Sequence, residues 1–264
     1  GGLRTGNCRR GRRSSPVCPR RRWPFRGPDE APRPAPLTES RRSGERGVAW
    51  PVDMQEAIDP PEMLGTPVVP DAADRRALLE VLALAFRDNP MNVRIHGPRP
   101  ARRVRANRAG LRALVLDAER ETLAMVVHHG SEVIGGFVAA PPGAMPLSPP
   151  RWTRLLGCLI HQGPRAMDEW GQVNTLMGGY RPVAAHWYLA VLGVLPSWQG
   201  RGVGGLLLSA LIDRAGQDAL PIYLESDRPE SVRFYRARGF SDCGQEQVHG
   251  VVCWCLRHDS DDAS

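Results

Sequence analysis

The chain has 264 residues, enough for one domain of ordinary size with additional material, and its 42% hydrophobic content is compatible with a packed core. No apolar run approaches the roughly 18 residues that a membrane-spanning helix needs. The net charge of +7 is uneven: residues 1–50 hold 13 arginines and four acidic residues, which leaves the rest of the chain slightly acidic. Length, composition and charge therefore argue against a membrane-spanning chain and against a strongly basic nucleic-acid-binding domain.

Residues 1–60 are rich in Arg, Pro, Gly and Ser and lack hydrophobic periodicity, which predicts a disordered Arg/Pro-rich extension. A basic arm that contacts nucleic acid is the alternative, but we favour an upstream extension with Met54 as a start. No apolar segment of export length follows the paired arginines. The six cysteines are scattered and lack zinc-site spacing, so we expect a reducing compartment, a cytoplasmic location and no metal.

The first half of the remaining chain alternates strand and helix patterns. We expect, in chain order, a strand at 66–69, a helix that starts near residue 71, a second helix after residue 100, two strands at 122–127 and 133–139, and a helical region at 149–180. Pro90 follows Asn89 and is expected to end the first helix. The Trp and Met stripe of the 149–180 region is typical of a core, although it would equally suit one wall of a substrate pocket.

A glycine-rich loop stands at the centre of the second half. Residues 187–195 are apolar and predict a buried strand, and the loop at 199–204 leads directly into a leucine-rich helix. A strand, a glycine loop and a helix N-terminus together form an anion site, because backbone N–H groups point outward and the helix dipole favours negative charge. The loop therefore predicts a phosphate-bearing ligand.

The carboxy-terminal part continues with a strand, a helix and a final strand pair. The strand is expected at 221–226, and the helix at 229–238 is closed by Gly239. Two last strands run from Phe240 to the region of 251–256, before a frayed acidic tail at 259–264.

Two motifs resemble those of the Gcn5-related N-acetyltransferase (GNAT) superfamily. The first reads VLPSWQGRGVG at 194–204 and resembles its acyl-CoA pyrophosphate loop; the second reads FYRARGF at 234–240 and resembles its carboxy-terminal signature. The loop lacks the Lys-Ser/Thr of a P-loop and the spacing of a dinucleotide fingerprint. Within the superfamily the segments WYLAVLGV, YLESD and FYRARGF look most like puromycin N-acetyltransferase and its actinobacterial relatives.

The resemblance implies an α/β (α+β) GNAT fold over residues 61–258, with a mixed central sheet whose middle strands are splayed and flanked by helices. Acetyl-CoA is then the co-substrate: the strand before the loop pairs with its pantetheine arm, the loop amides bind its pyrophosphate, and Ser231 contacts it where many relatives carry asparagine. The implied cofactor-binding residues are Leu192, Gly193, Val194, Gln199, Gly200, Arg201, Gly202, Val203, Gly204 and Ser231.

Catalytic roles are also implied by the resemblance. Tyr235 would protonate the leaving thiolate, and Glu225 would accept a proton from the amine, directly or through water. Asp227 and His186 are alternatives for the base, and Glu225 could instead bind a cationic amine.

The expected function is acetyl-CoA-dependent transfer of an acetyl group to the primary amine of a small molecule by direct transfer, with antibiotic-like amines among the candidates. Acetylation of a protein or peptide amine and a non-catalytic acyl-CoA-binding module are the alternatives. We expect the protein to be a monomer or a homodimer.

Overall fold

A computed structural model describes residues 64–118 and 121–260. Its helices are α1 (Ala72–Ala85), α2 (Pro90–His96), α3 (Pro100–Arg112), α4 (Trp152–Gln162), α5 (Pro164–Gly178), α6 (Val203–Gln217) and α7 (Pro229–Arg236). Its strands are β1 (Leu123–His129), β2 (Glu132–Ala140), β3 (Trp187–Val194), β4 (Ile222–Ser226), β5 (Ser241–Val248) and β6 (Val251–His258). The predicted disordered extension lies outside these residues, as do the last four residues of the predicted acidic tail.

The six strands form one mixed sheet in the order β1-β2-β3-β4-β6-β5. Neighbouring strands are antiparallel except β3 and β4, which are parallel. These two strands pair only where residues 187–189 face residues 222–224; from there to their ends, within the described chain, they are not paired. The predicted α/β class with splayed middle strands is therefore confirmed.

A β-bulge bends β3 at the point where it leaves β4. Val138 of β2 is opposite Val191, whereas the next residue, Ala139, is opposite Leu189, so Ala190 is the extra residue on β3. Bulges increase the local twist and are frequent beside active sites. The edge of β3 beyond Ala190 thus turns away from β4 and leaves a gap in the middle of the sheet.

Two helical layers cover the sheet. On one face α6 and α7 pack on a core that includes Leu189, Leu207 and Leu224. On the other face α1 packs so closely that a Cβ added at Gly193 of β3 would come within 2.8 Å of the Leu82 side chain. Beside α1 the same face carries α2 and α5, which pack on a smaller cluster that includes Tyr223.

The structure corrects three expectations. Residues 66–69 do not form a strand but make a single antiparallel bridge from Val68 to Val126. Pro90 starts a helix as well as ending one, because its fixed φ and missing N–H suit the first helical position of α2. The stripe on α4 is not core: Trp152 is 74% exposed and Ile160 is 69% exposed.

No helix of the described residues is long and apolar enough to cross a membrane. In the same part of the chain no three His, Cys, Asp or Glu side chains gather as a metal-binding group.

Candidate active site

A cavity of about 690 Å³ lies between the sheet and α2, α3 and α5, at the point where β3 and β4 separate. Its sheet wall comes from both separating strands, with Ala190 and Val191 on one side and Glu225, Ser226 and Asp227 on the other. The volume is in the range of sites for small molecules. The other walls include Met167 and Trp170 of α5, so this part of the stripe forms a pocket wall.

Glu225 lies one residue beyond Leu224, the last residue of β4 that pairs with β3. Its Oε1 accepts from Nε of Arg181 at 3.1 Å, and its Oε2 accepts from the Tyr188 hydroxyl at 3.2 Å. The guanidinium also lies 4.6 Å from the Tyr188 ring centroid. Nη2 of Arg181 also donates to Oε2 at 3.5 Å, so the arginine contacts both oxygens of Glu225.

Asp227 follows β4 and has a different environment. Its Oδ1 accepts from the Asn89 side-chain amide at 3.2 Å, and its Oδ2 accepts from the Met91 backbone N–H at 2.7 Å. Burial raises the pKa of this carboxyl, and these hydrogen bonds only partly offset the rise. Asp227 is therefore the cavity carboxylate that is held by neutral donors and whose pKa is shifted towards neutrality.

The glycine loop ends at the first turn of α6. Gly200 and Gly202 have φ angles of +78° and +88°, in the left-handed region that favours glycine. The first helical bond runs from the Leu206 N–H to the Gly202 carbonyl at 3.0 Å, so the amides before Leu206 have no intrahelical partner. In the described chain no side chain caps this terminus. These features fit an anion such as a pyrophosphate.

The free edge of β3 fits an extended ligand arm. The Leu195 N–H donates to the Ile134 carbonyl of β2 at 2.8 Å, and alternate residues of a strand direct their backbone groups to opposite edges. Val194 and Leu192 therefore face the gap, whereas the backbone groups of Gly193 face β2. The Gln199 side chain already donates to the Val194 carbonyl at 3.1 Å and fixes the loop to the strand end.

A profile of the acetyltransferase (GNAT) family matches residues 95–240, more than half of the chain. The chain belongs to this family. Members of the GNAT family use acetyl-CoA. In this member the gap between the splayed strands suits an extended ligand arm, and the glycine loop suits a pyrophosphate.

Two curated relatives are similar to this GNAT chain. N-alpha-acetyltransferase RimI of Mycobacterium tuberculosis is 34% identical over 77 residues, which make up 28% of this chain and 49% of that protein. Mycothiol acetyltransferase of Clavibacter sepedonicus is 28% identical over 198 residues, covering 63% of this chain and 64% of that protein. The chain thus spans about half of the first and less than two thirds of the second. These relatives confirm the GNAT assignment but do not specifically support the likeness to puromycin N-acetyltransferase.

A crystal structure from Corynebacterium glutamicum, named as histone acetyltransferase HPA2 and related acetyltransferase, has the same fold. It matches 76% of this chain and 100% of its own, with a TM-score of 0.55 and 20% sequence identity. At this identity the likeness concerns the fold alone.

Tyr235 lies on α7, on the face of the sheet opposite the cavity. Its ring packs against Phe240 at 5.4 Å and Phe234 at 5.2 Å between centroids, and only 7% of the residue is exposed. Burial raises the pKa of its hydroxyl, so the group keeps its proton at neutral pH. Ser231 is half-buried one turn earlier on α7.

The structure brings together some predicted residues and separates others. Glu225 and Asp227 share the cavity, and the loop residues 199–204 surround the N-terminus of α6. His186 is half-buried and does not line the cavity; its Nδ1 lies 2.8 Å from the Ala184 carbonyl.

Sequence reasoning missed most polar residues of the cavity, among them Asn89, Asn92, His96, Arg181 and Tyr188. The first three lie on or next to α2. The Asn-Pro pair at the start of this helix was the signal in the sequence that could have predicted it. The other two carried no local motif.

Proposed function

We propose that this GNAT protein transfers the acetyl group of acetyl-CoA directly to the primary amine of a small molecule bound in the cavity. One observation carries the proposal: the cavity reaches the gap between β3 and β4 and presents two carboxylates there. A cavity of this volume suits a compact ligand, and carboxylates favour a cationic amine over a neutral or acidic acceptor.

The proton acceptor we propose is Asp227. The negative charge of Glu225 is offset by its ion pair with Arg181. Asp227 instead accepts hydrogen bonds from neutral donors, and burial raises its pKa. A base works best when its pKa approaches the working pH. In this scheme Glu225 orients the amine, and Asp227 accepts the proton that the ammonium must lose before attack.

The proton donor we propose is Tyr235. The amine nitrogen forms a bond to the acetyl carbon while the bond from that carbon to the CoA sulfur breaks. After attack the nitrogen carries one proton more than the amide holds; Asp227, which has passed the first proton to solvent, accepts this second proton and passes it to solvent in turn. Tyr235 gives its proton to the leaving sulfur and regains one from solvent. The raised pKa of Tyr235 supports this role because the hydroxyl is protonated when the thiolate leaves.

Direct transfer is supported by the state of the cavity cysteines. Cys253 lines the cavity, and burial raises the pKa of its thiol to about 12; burial also raises the pKa of Cys158. A thiol is a much weaker nucleophile than a thiolate. An acetyl-cysteine intermediate is therefore disfavoured.

Arg238 adds a positive charge beside the loop. A Cβ added at Gly205, in the first turn of α6, would come within 3.0 Å of its Nη2. The guanidinium is held by a 3.0 Å hydrogen bond to the Phe234 carbonyl and stacks 3.9 Å from that ring's centroid. We include Arg238, with Arg201 and the loop amides, in the proposed binding site for the CoA phosphates.

The names of the relatives suggest two classes of acceptor: an α-amino group for N-alpha-acetyltransferase RimI and a small molecule for mycothiol acetyltransferase. The enclosed position of the carboxylates favours the small molecule.

The test is release of CoA from acetyl-CoA with a panel of small amines, puromycin-like nucleosides included, beside peptides with free amino termini. Turnover with small amines alone supports the proposal. Turnover with peptides alone favours the protein acceptor, and acetyl-CoA binding without turnover on any amine favours a non-catalytic module.

A further inference from the structure

His96, the last residue of α2, lies on the cavity wall and is only 3% exposed. The indole N–H of Trp170 donates to its Nε2 at 3.2 Å. An indole nitrogen can only donate, so Nε2 must be unprotonated and the neutral ring carries its proton on Nδ1. Burial lowers the pKa of His96 and keeps this neutral form. Nδ1 is itself buried without a hydrogen-bond partner among the described residues.

Asn92 lies one turn earlier on the same face of α2 and is 6% exposed. Its side-chain nitrogen donates to the Phe86 carbonyl at 2.9 Å, which fixes the orientation of the amide. Its Oδ1 is then the atom left without a donor, and this buried acceptor also has no partner within the described chain. A buried polar atom without a partner is destabilising, so two of them one turn apart on residues of a cavity wall need an explanation.

Together the two residues offer one donor and one acceptor. A hydroxyl group is the smallest organic group that satisfies both, because it accepts from the His96 Nδ1–H and donates to the Asn92 Oδ1. We propose that His96 and Asn92 form a hydroxyl-binding subsite, and that the acceptor of this enzyme is a hydroxylated amine. This inference rests on the proposed function for the position of the amine.

The fold sets the separation of the two groups. The Met91 N–H at the start of α2 holds Asp227, and α2 then runs along the cavity wall to His96. At about 1.5 Å per residue, the midpoint between Asn92 and His96 lies roughly 5 Å along the helix from Met91, whose N–H binds Asp227. An amine with a hydroxyl three or four carbons away spans this distance, whereas a plain alkylamine leaves both polar atoms unpaired.

The experiment compares matched amines that differ only in the hydroxyl: aminobutanol against butylamine, and aminocyclohexanol against cyclohexylamine. Equilibrium binding is measured by calorimetry and kcat/KM by CoA release, for wild type, His96→Phe and Asn92→Leu. Asn174→Ala is the control, since Asn174 lines the cavity without a buried unpaired atom. We expect wild type and control to prefer the hydroxylated member by about tenfold or more, and both subsite variants to lose that preference.

A second measurement does not depend on the variants folding. The ¹⁵N signals of the His96 ring should report the Nδ1–H form in the free protein, and they should shift when aminobutanol binds but not with butylamine. Equal binding of both members, unchanged preference in the variants, or absent binding of every hydroxylated amine would overturn the subsite. Hydroxyl-dependent binding without turnover would instead uphold the subsite and reject the proposed enzyme activity.

Discussion

Glu225 and Tyr235 lie on opposite faces of the central sheet, Glu225 in the cavity and Tyr235 in the core beneath α6 and α7. The pairing of β3 with β4 ends one residue before Glu225, so the sheet is open between the two faces at this point. In the proposed reaction each reactant has its own side: the acyl donor binds at the loop at the start of α6, and the amine binds in the cavity. The two would then meet at the gap between β3 and β4.

Replacing Tyr235 with Phe removes the proposed acid and leaves the ring packing in place. We expect kcat to fall by about 100-fold or more, since general acid catalysis contributes on this scale. The dissociation constant for acetyl-CoA should change less than about threefold, because the loop and the β3 edge are untouched. Steady-state kinetics and calorimetry measure the two quantities. A variant with wild-type kcat would remove Tyr235 from the acid role.

The two cavity carboxylates should respond differently to loss of charge. Asp227→Asn should lower kcat by about 100-fold or more, because it removes the proton acceptor. Glu225→Gln should mainly raise KM for the amine, because it weakens a binding contact. The reverse pattern would assign the base to Glu225.

The pH profile tests the same assignment. Asp227 must be ionised to accept a proton, so activity should fall as the pH drops through its folded-state pKa. Since burial raises that pKa above the ordinary value of 3.8, the acidic limb of the kcat profile should lie above that value. The limb should be absent from the residual activity of Asp227→Asn. An unchanged limb in that variant would assign it to another group.

Gly202 should be irreplaceable for a conformational reason. Its φ of +88° is costly for an L side chain, so Gly202→Ala should destabilise the loop by about 1–2 kcal/mol and weaken acetyl-CoA binding at least tenfold. The matched control is Gly216→Ala, which lies within α6 with nothing within 4 Å of the added Cβ and should stabilise by about 0.5–1 kcal/mol. Equal acetyl-CoA affinity in the two variants would contradict the proposed role of the loop.

Arg238 should contribute to donor affinity through charge. Arg238→Ala should raise KM for acetyl-CoA about three- to tenfold at low salt, and the difference should shrink as salt screens the phosphates. Arg236→Ala is the control, because this nearby arginine is held by Asp242 at 3.0 Å. An identical effect of the two substitutions would indicate general surface charge rather than a phosphate contact.

The sequence predicted the donor side of this molecule far better than the acceptor side. The loop, α6 and α7 follow local rules: glycines with positive φ, a leucine-rich helix, and Gly239 with φ of +84° after α7. The gap between β3 and β4 was expected only by family resemblance, because strand pairing over a long separation carries no local pattern.

The acceptor side depends on contacts between distant segments. Arg181 donates a hydrogen bond to Glu225, 44 residues away in the sequence, and the Met91 N–H donates to Asp227, 136 residues away. Nothing in the sequence near either carboxylate predicts these partners. α2 was missed because Pro90 was interpreted only as the end of α1, although the same residue is favoured at the first position of a new helix.

The most direct test of the central claim is mass spectrometry of the product formed from acetyl-CoA with an isotopically labelled acetyl group and a mixture of hydroxylated small amines. The account predicts a labelled N-acetyl amine in amounts equal to the CoA released, with formation strongly reduced in Tyr235→Phe and Asp227→Asn. Label found only in free acetate, or only on peptide amines supplied in parallel, would contradict it.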